Sequence, residues 1–141
     1  MFVTNNATKS RVELSRKFRA KGLDVIPEDI ITAGSATADY LASQGLLSAY
    51  VIGEEGLLEE LRNSGIDVVG GADDGERMST DEYAALQPDP VIQAVVVSFD
   101  AAVNYRKLAM ASFHVQSGAR LIVRAHPDFF FFRCAQSADR P

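Results

Sequence analysis

The sequence predicts an α/β protein with a parallel or mixed sheet, and two patterns carry that prediction. From Ser48 onward the same unit occurs twice. Tyr50-Val51-Ile52-Gly53 is strand-like, Glu55 to Ser64 has helical spacing, Gly65 stops it, and Ile66-Asp67-Val68-Val69 is strand-like again. Later, Ala94 to Phe99 is strand-like, Val103 to Gln116 helical, Gly118 the stop, and Leu121-Ile122-Val123 strand-like. Two β-α-β units pack most simply as one sheet covered by helices. The second pattern lies at the N-terminus, where Phe2-Val3 runs into Thr4-Asn5-Asn6-Ala7-Thr8-Lys9-Ser10 before Arg11 opens a helical segment.

Taken in order, Met1-Phe2-Val3 is short for a strand, since strands run to about five or six residues. A buried parallel strand also needs neighbours, so a preceding segment is expected. Val12, Leu14, Ser15 and Phe18 fall on neighbouring turns of a helix predicted from Lys9 to Lys21, with Gly22 at its left-handed close. Leu23 to Ile26 leads to a turn at Pro27-Glu28-Asp29, and Ile30-Ile31-Thr32 reads as a short buried strand. Gly34-Ser35 opens a second helix, Ala36 to Ser43, with Ala36, Tyr40 and Leu41 on one face. Gln44-Gly45 is the expected boundary, dividing the chain into segments 1–45, 46–128 and a tail, 129–141. Between the two repeats, Gly70-Gly71-Ala72-Asp73-Asp74-Gly75 and the polar stretch to Pro88-Asp89-Pro90 read as a surface loop.

The N-terminal turn holds the chemistry. The hydroxyl of Thr4, the carboxamides of Asn5 and Asn6, free backbone N–H groups and the positive end of a helix converge there, which suits an anion and phosphate above all. The same residue types are also good helix caps without any ligand, and both readings fit the residues. Glu54-Glu55 could serve as an acid and a base, but acids at a strand-to-helix junction also complement the helix dipole. That dipole role is the expectation for both, and for Asp100 at the second junction. Asp73-Asp74 reads as a pair of loop acids, lacking a spaced third ligand. His114 falls on an apolar helix face, as a packed or half-exposed residue rather than a base. The basic residues from Lys9 to Lys21 interleave with Val12, Leu14 and Phe18, as on a solvated helix face.

Composition sets the remaining limits. Apolar residues make up 47% of the 141 and charged residues 23%, the balance of a globular chain long enough for a core. A net charge of −5 argues against a nucleic-acid surface. Cys134 stands alone, so no intrachain disulfide forms. No apolar run approaches the ~20 residues of a membrane span, and no signal-peptide pattern opens the chain. A soluble, cytoplasmic protein with no membrane or nucleic-acid partner is expected, with organelle targeting left open by an incomplete N-terminus. Neither glycine fingerprint of nucleotide binding follows a strand.

The stretch from Phe2 to Arg11 resembles the second motif of the haloacid dehalogenase phosphatases, in the branch with a large α/β cap that includes phosphoglycolate and p-nitrophenyl phosphate phosphatases. The resemblance continues through Ile31-Thr32-Ala33-Gly34-Ser35-Ala36, Val51-Ile52-Gly53-Glu54-Glu55-Gly56, Val69-Gly70-Gly71-Ala72-Asp73, Val97-Ser98-Phe99-Asp100 and Asn104-Tyr105-Arg106-Lys107-Leu108. It implies a partial Rossmann-like core segment over 1–45 followed by an α/β cap over 46–128. It also implies that Thr4 holds a phosphoryl oxygen while Asn5 and Asn6 shape the pocket. The family's nucleophile and acid/base lie in an Asp-x-Asp-Gly motif that this sequence does not contain, and its Mg²⁺ ligands lie in motifs equally lacking. The resemblance therefore implies no catalytic residue and no metal ligand in this chain. The expected function is that of an incomplete Mg²⁺-dependent phosphomonoester phosphatase, inactive alone, acting as a whole on a small phosphorylated metabolite with phosphoglycolate preferred. The alternative is a non-catalytic cap module that forms homodimers or binds a partner. Two departures stand out. Ala125-His126-Pro127-Asp128 replaces the family's Thr-Asn-Pro-Asp, and Phe129-Phe130-Phe131-Phe132 leads into an unrelated end, the pattern of a lost reading frame.

Overall fold

The computed structural model describes residues 1–71 and 78–123. The expectations for Ala72 to Gly75, for Ala125 to Asp128, and for Cys134 and the tail 129–141 lie outside the described residues.

Two parallel sheets organise the chain. β1 (Phe2–Thr4) pairs with β2 (Ile30–Thr32), setting Thr4 beside Thr32 at the strands' C-terminal ends. α1 (Arg11–Arg19) links them, and Leu14, Val25 and Ile30 form a small buried cluster with Phe18 against it. The second sheet has the order β4-β3-β5-β6, all parallel, from β3 (Ser48–Ile52), β4 (Asp67–Gly70), β5 (Ala94–Val97) and β6 (Arg120–Val123). Both repeats are thus β-α-β units that start on adjacent central strands and move outward in opposite directions.

Strand periodicity explains how this sheet is covered on both faces. Side chains alternate along a strand, so Ala49 and Val51 of β3 join Ala94 and Val96 of β5 on one face. There they meet Leu57, Leu58 and Leu61 of α3 (Glu55–Asn63) and Ala38 and Leu41 of α2 (Ala33–Ser43). Tyr50, Ile52 and Val95 point the other way, against Ala111 of α5 (Tyr105–Gln116). A strand buried on both faces reads as a continuous apolar run, which is why Ala49 to Ile52 shows no alternation. Ala38 and Leu41 share one cluster with β3, so α2, assigned by sequence to the first segment, packs on the second.

Helix starts differ from expectation wherever a cap was overlooked. Thr32 caps α2, its Oγ1 accepting from Ser35 N at 2.9 Å while Ser35 Oγ accepts from Thr32 N at 3.0 Å. This reciprocal box moves the start from Ala36 to Ala33. Ser10 caps α1 and Asn104 caps α5, so those helices begin at Arg11 and Tyr105 rather than at Lys9 and Val103. A short helix, α4 (Thr80–Ala85), interrupts the stretch expected to be loop. Its capping box, Ser79 with Glu82, is visible in the sequence. Gly65 and Gly118 close the two repeats at φ 77° and 105°, a region open to glycine at little cost. No helix of the described residues is long and apolar enough to cross a membrane.

Candidate functional site

The pairing of β1 with β2 delivers Thr4 to the C-terminal edge of the small sheet, half-buried, with Asn5 exposed and Asn6 half-buried beyond it. The turn is braced by its own side chains. Asn6 N donates to Thr4 Oγ1 at 3.3 Å, and Asn6 Oδ1 accepts from both Thr8 N at 2.7 Å and Thr8 Oγ1 at 2.8 Å. Thr4 Oγ1 receives a hydrogen bond in this arrangement, so its own O–H proton remains available to an acceptor. The structure therefore brings Thr4, Asn5 and Asn6 together on one turn.

Two parts of the sequence expectation change. Thr4 to Thr8 do not cap α1; Ser10 does, with its Oγ accepting from Glu13 N at 3.3 Å. The N-terminal end of α1 is not left to an external anion either. Arg11 N donates to Glu60 Oε1 at 2.5 Å, and Arg11 Nε donates to Glu60 Oε2 at 2.8 Å. A carboxylate of the chain itself answers the helix dipole, so any ligand anion draws on the turn rather than on the helix end.

The other acidic candidates separate. Glu54 occupies the N-cap position of α3 without capping it, and its Oε1 accepts from Ala101 N at 2.9 Å across the neighbouring loop. Glu55 pairs with Arg62 at 2.7 Å on the exposed face of α3. They are not a working acid–base pair. Asp100 does not cap α5: it pairs with Lys107 Nζ at 2.7 Å, and its other oxygen accepts from Ala102 N at 2.8 Å. Lys107 is fully buried.

Sequence reasoning passed over Glu60 and Lys107. Glu60 had a legible signal, because it lies between Leu57 and Leu61 on the core-facing side of α3, where a carboxylate requires a buried partner. Lys107 sits seven residues from Asp100 across a loop, and no periodicity announces that pair.

His114 is packed, as expected, at 2% exposure with its ring centroid 5.2 Å from that of Tyr50. Burial pushes its pKa below the usual 6.5, and Asp89 opposes the shift. The unfolded chain therefore takes up this proton first as pH falls. Stability is at its full value above about pH 6.5 and declines below it. In urea melts the midpoint is expected to drop between about pH 7 and 5.5, and His114→Phe to flatten that drop. An equal drop in the variant would assign the effect to other groups.

A divalent cation does not fit the turn. Mg²⁺ is held through carboxylates and phosphate oxygens, whereas the turn presents neutral hydroxyls and carboxamides, and Glu60 beside it is engaged by Arg11. Among the described residues no group of three or more His, Cys, Asp or Glu side chains converges.

The chain thus combines parallel α/β architecture with a hydroxyl-and-carboxamide turn at a strand's C-terminal end. Residues 1–67 match the family model described as haloacid dehalogenase-like hydrolase. The chain is 39% identical to phosphoglycolate phosphatase 1A, chloroplastic, of Arabidopsis thaliana, over 98% of this chain and 37% of that protein. It is 32% identical to acid sugar phosphatase of Staphylococcus epidermidis, over 91% of this chain and 42% of that protein. Its structure resembles p-nitrophenyl phosphatase from Archaeoglobus fulgidus with a TM-score of 0.67 at 31% identity, covering 88% of this chain and 41% of that one. The family model, the curated relatives and the solved structure together support a haloacid dehalogenase-like phosphatase, and the chain spans about two fifths of the length of these relatives.

Proposed function

We propose that this chain carries the phosphate-gripping turn and the α/β cap of a phosphomonoester phosphatase. The observation that carries the reading is Thr4, half-buried at the end of β1 with its hydroxyl proton free, followed by Asn5 and Asn6 on the same turn. Such donors stabilise negative charge on a phosphoryl group by position alone. The substrate class is a small phosphorylated metabolite, and the phosphoglycolate and acid sugar phosphatases among its relatives favour a compact carboxylate- or hydroxyl-bearing monoester. We place the protein in the cytoplasm or an organelle stroma.

The sequence contains no Asp-x-Asp-Gly, so the nucleophile that the family resemblance implies is not among these residues. Mg²⁺, equally implied, finds no carboxylate set at the turn, and no step of the proposed binding runs through it. The chain alone is therefore expected to bind phosphate and not to turn over. In amide-resolved NMR, inorganic phosphate should shift Thr4, Asn5 and Asn6. Thr4→Ala should weaken that binding about tenfold, the value of one hydrogen bond to a charged group. Release of p-nitrophenol from p-nitrophenyl phosphate that disappears in Thr4→Ala would overturn the binding-only reading, and a phosphate titration silent at these three amides would overturn the site.

A second reading is a non-catalytic module that pairs with its own copy. It is favoured by the outer strands of the four-stranded sheet, which have no further strand beside them among the described residues, and where Val69 on β4 and Leu121 and Val123 on β6 are each at least 40% exposed. An open strand edge is a template for pairing. Sedimentation at increasing concentration separates the two, since a mass that stays monomeric removes this reading.

A further inference from the structure

Glu60 is a carboxylate at 1% exposure, and the structure around it is built to admit it. An ionised group this buried is tolerated only when it is paired and hydrogen-bonded. Both of its oxygens are used, and both by Arg11: one holds the guanidinium Nε, the other the backbone N–H. The backbone contact matters more for the neighbouring turn. A side-chain pair would leave the main chain free to shift, whereas a bond to the peptide N–H fixes the first residue of α1 in space.

Two glycines make room for this arrangement. A Cβ on Gly56 would lie 2.5 Å from N, Cα and C of Lys9, so the main chain just before Arg11 lies directly on α3. A Cβ on Gly34, in the first turn of α2, would lie 3.3 Å from Glu60 Cγ. The polar turn is thus anchored twice. Its start is held by the pairing of Thr4 with Thr32, and its end by Glu60 of α3 on Arg11.

We infer that Glu60 is a positioning residue for the phosphate turn, acting through Arg11 to set the main-chain path of residues 5–10. The inference rests on the phosphate reading above for its functional meaning, but its structural content is independent of any ligand. Glu60 and Arg11 neutralise each other, so the pair contributes geometry to the turn rather than charge.

The charge change makes Glu60→Gln a discriminating variant. Removing a negative charge near the turn would by itself strengthen anion binding. A loss of phosphate affinity therefore reports geometry. In the ligand-free ¹⁵N-labelled protein, hydrogen exchange at Asn6 and Thr8, whose amides bond within the turn and do not touch Glu60, is expected to accelerate about tenfold in Glu60→Gln. Amides of β3 and β5 should stay within about twofold of wild type. Inorganic phosphate, titrated at Thr4, Asn5 and Asn6, should bind about tenfold more weakly. Arg62→Ala, which breaks an exposed pair on the same helix, should change neither.

Turn exchange and phosphate affinity both within about twofold of wild type would overturn the inference. So would acceleration spread evenly over β3 and β5, which marks a merely structural residue. If wild-type protein shows no phosphate shift, the proposed function fails while the exchange measurement still decides the role of Glu60. Should Glu60→Gln not fold, Arg11→Ala is measured in the same way, and an unchanged turn in that variant counts against the inference.

Discussion

Asp100→Ala is expected to cost about 3–5 kcal/mol of folding stability, as a fall in the urea midpoint at unchanged m-value. The reason is asymmetric burial. Lys107 is fully enclosed and the Asp100 side chain is 4% exposed, with 2.7 Å between charged atoms. Truncating the carboxylate leaves an ammonium group in the interior with neither water nor counter-charge, and that penalty exceeds what the intact pair contributes. The double variant Asp100→Asn with Lys107→Met should recover a large part of the loss, because an uncharged combination removes the desolvation problem. Single and double variants with equal losses would show that the pair is not coupled. The loss should also loosen the ends of β3 and β5 together. Asp100 orders the loop through Ala102 N, and Glu54 reaches across to Ala101 N in the same loop.

Gly56→Ala is expected to destabilise by about 1–3 kcal/mol, against the gain of about 1 kcal/mol that helix propensity alone would give. The added methyl meets the main chain of Lys9 at 2.5 Å, where no side chain can rotate away. The segment before α1 must lift from α3 and draw Arg11 from Glu60. Gly34→Ala is the informative contrast. Its methyl meets the flexible stem of Glu60 at 3.3 Å, which can yield by a small displacement. Gly56→Ala melting at or above wild type would mean that the contact between Lys9 and α3 contributes little.

These variants mark the limits of what could be read in advance. Both β-α-β repeats were legible because alternating or continuous apolar strands and glycine stops are local signals, and each strand and helix core occurs near its expected place. Boundaries shifted at Thr32, Ser10 and Asn104, each a capping residue overlooked in favour of hydrophobic spacing. The short helix Thr80–Ala85 was missed for a related reason: the density of turn residues outweighed a capping box at Ser79 and Glu82. For the site, the polar turn at Thr4 to Asn6 was legible from residue type. The roles given to its surroundings were not, because hydroxyl and amide residues look the same whether they cap a helix or face a ligand.

The sequence by itself determined the α/β class, the two repeats, the family resemblance and the polar turn at Thr4 to Asn6. All of these depend on neighbours within a few positions along the chain. Only the tertiary structure decided which acids do what. Glu54 spans two loops, Asp100 holds a buried lysine, and Glu60, not a ligand, meets the start of α1. A carboxylate's role is set by the charge and N–H groups within about 3 Å of it. For Glu60 those groups belong to Arg11, 49 positions away in sequence, and only packing brings the two together.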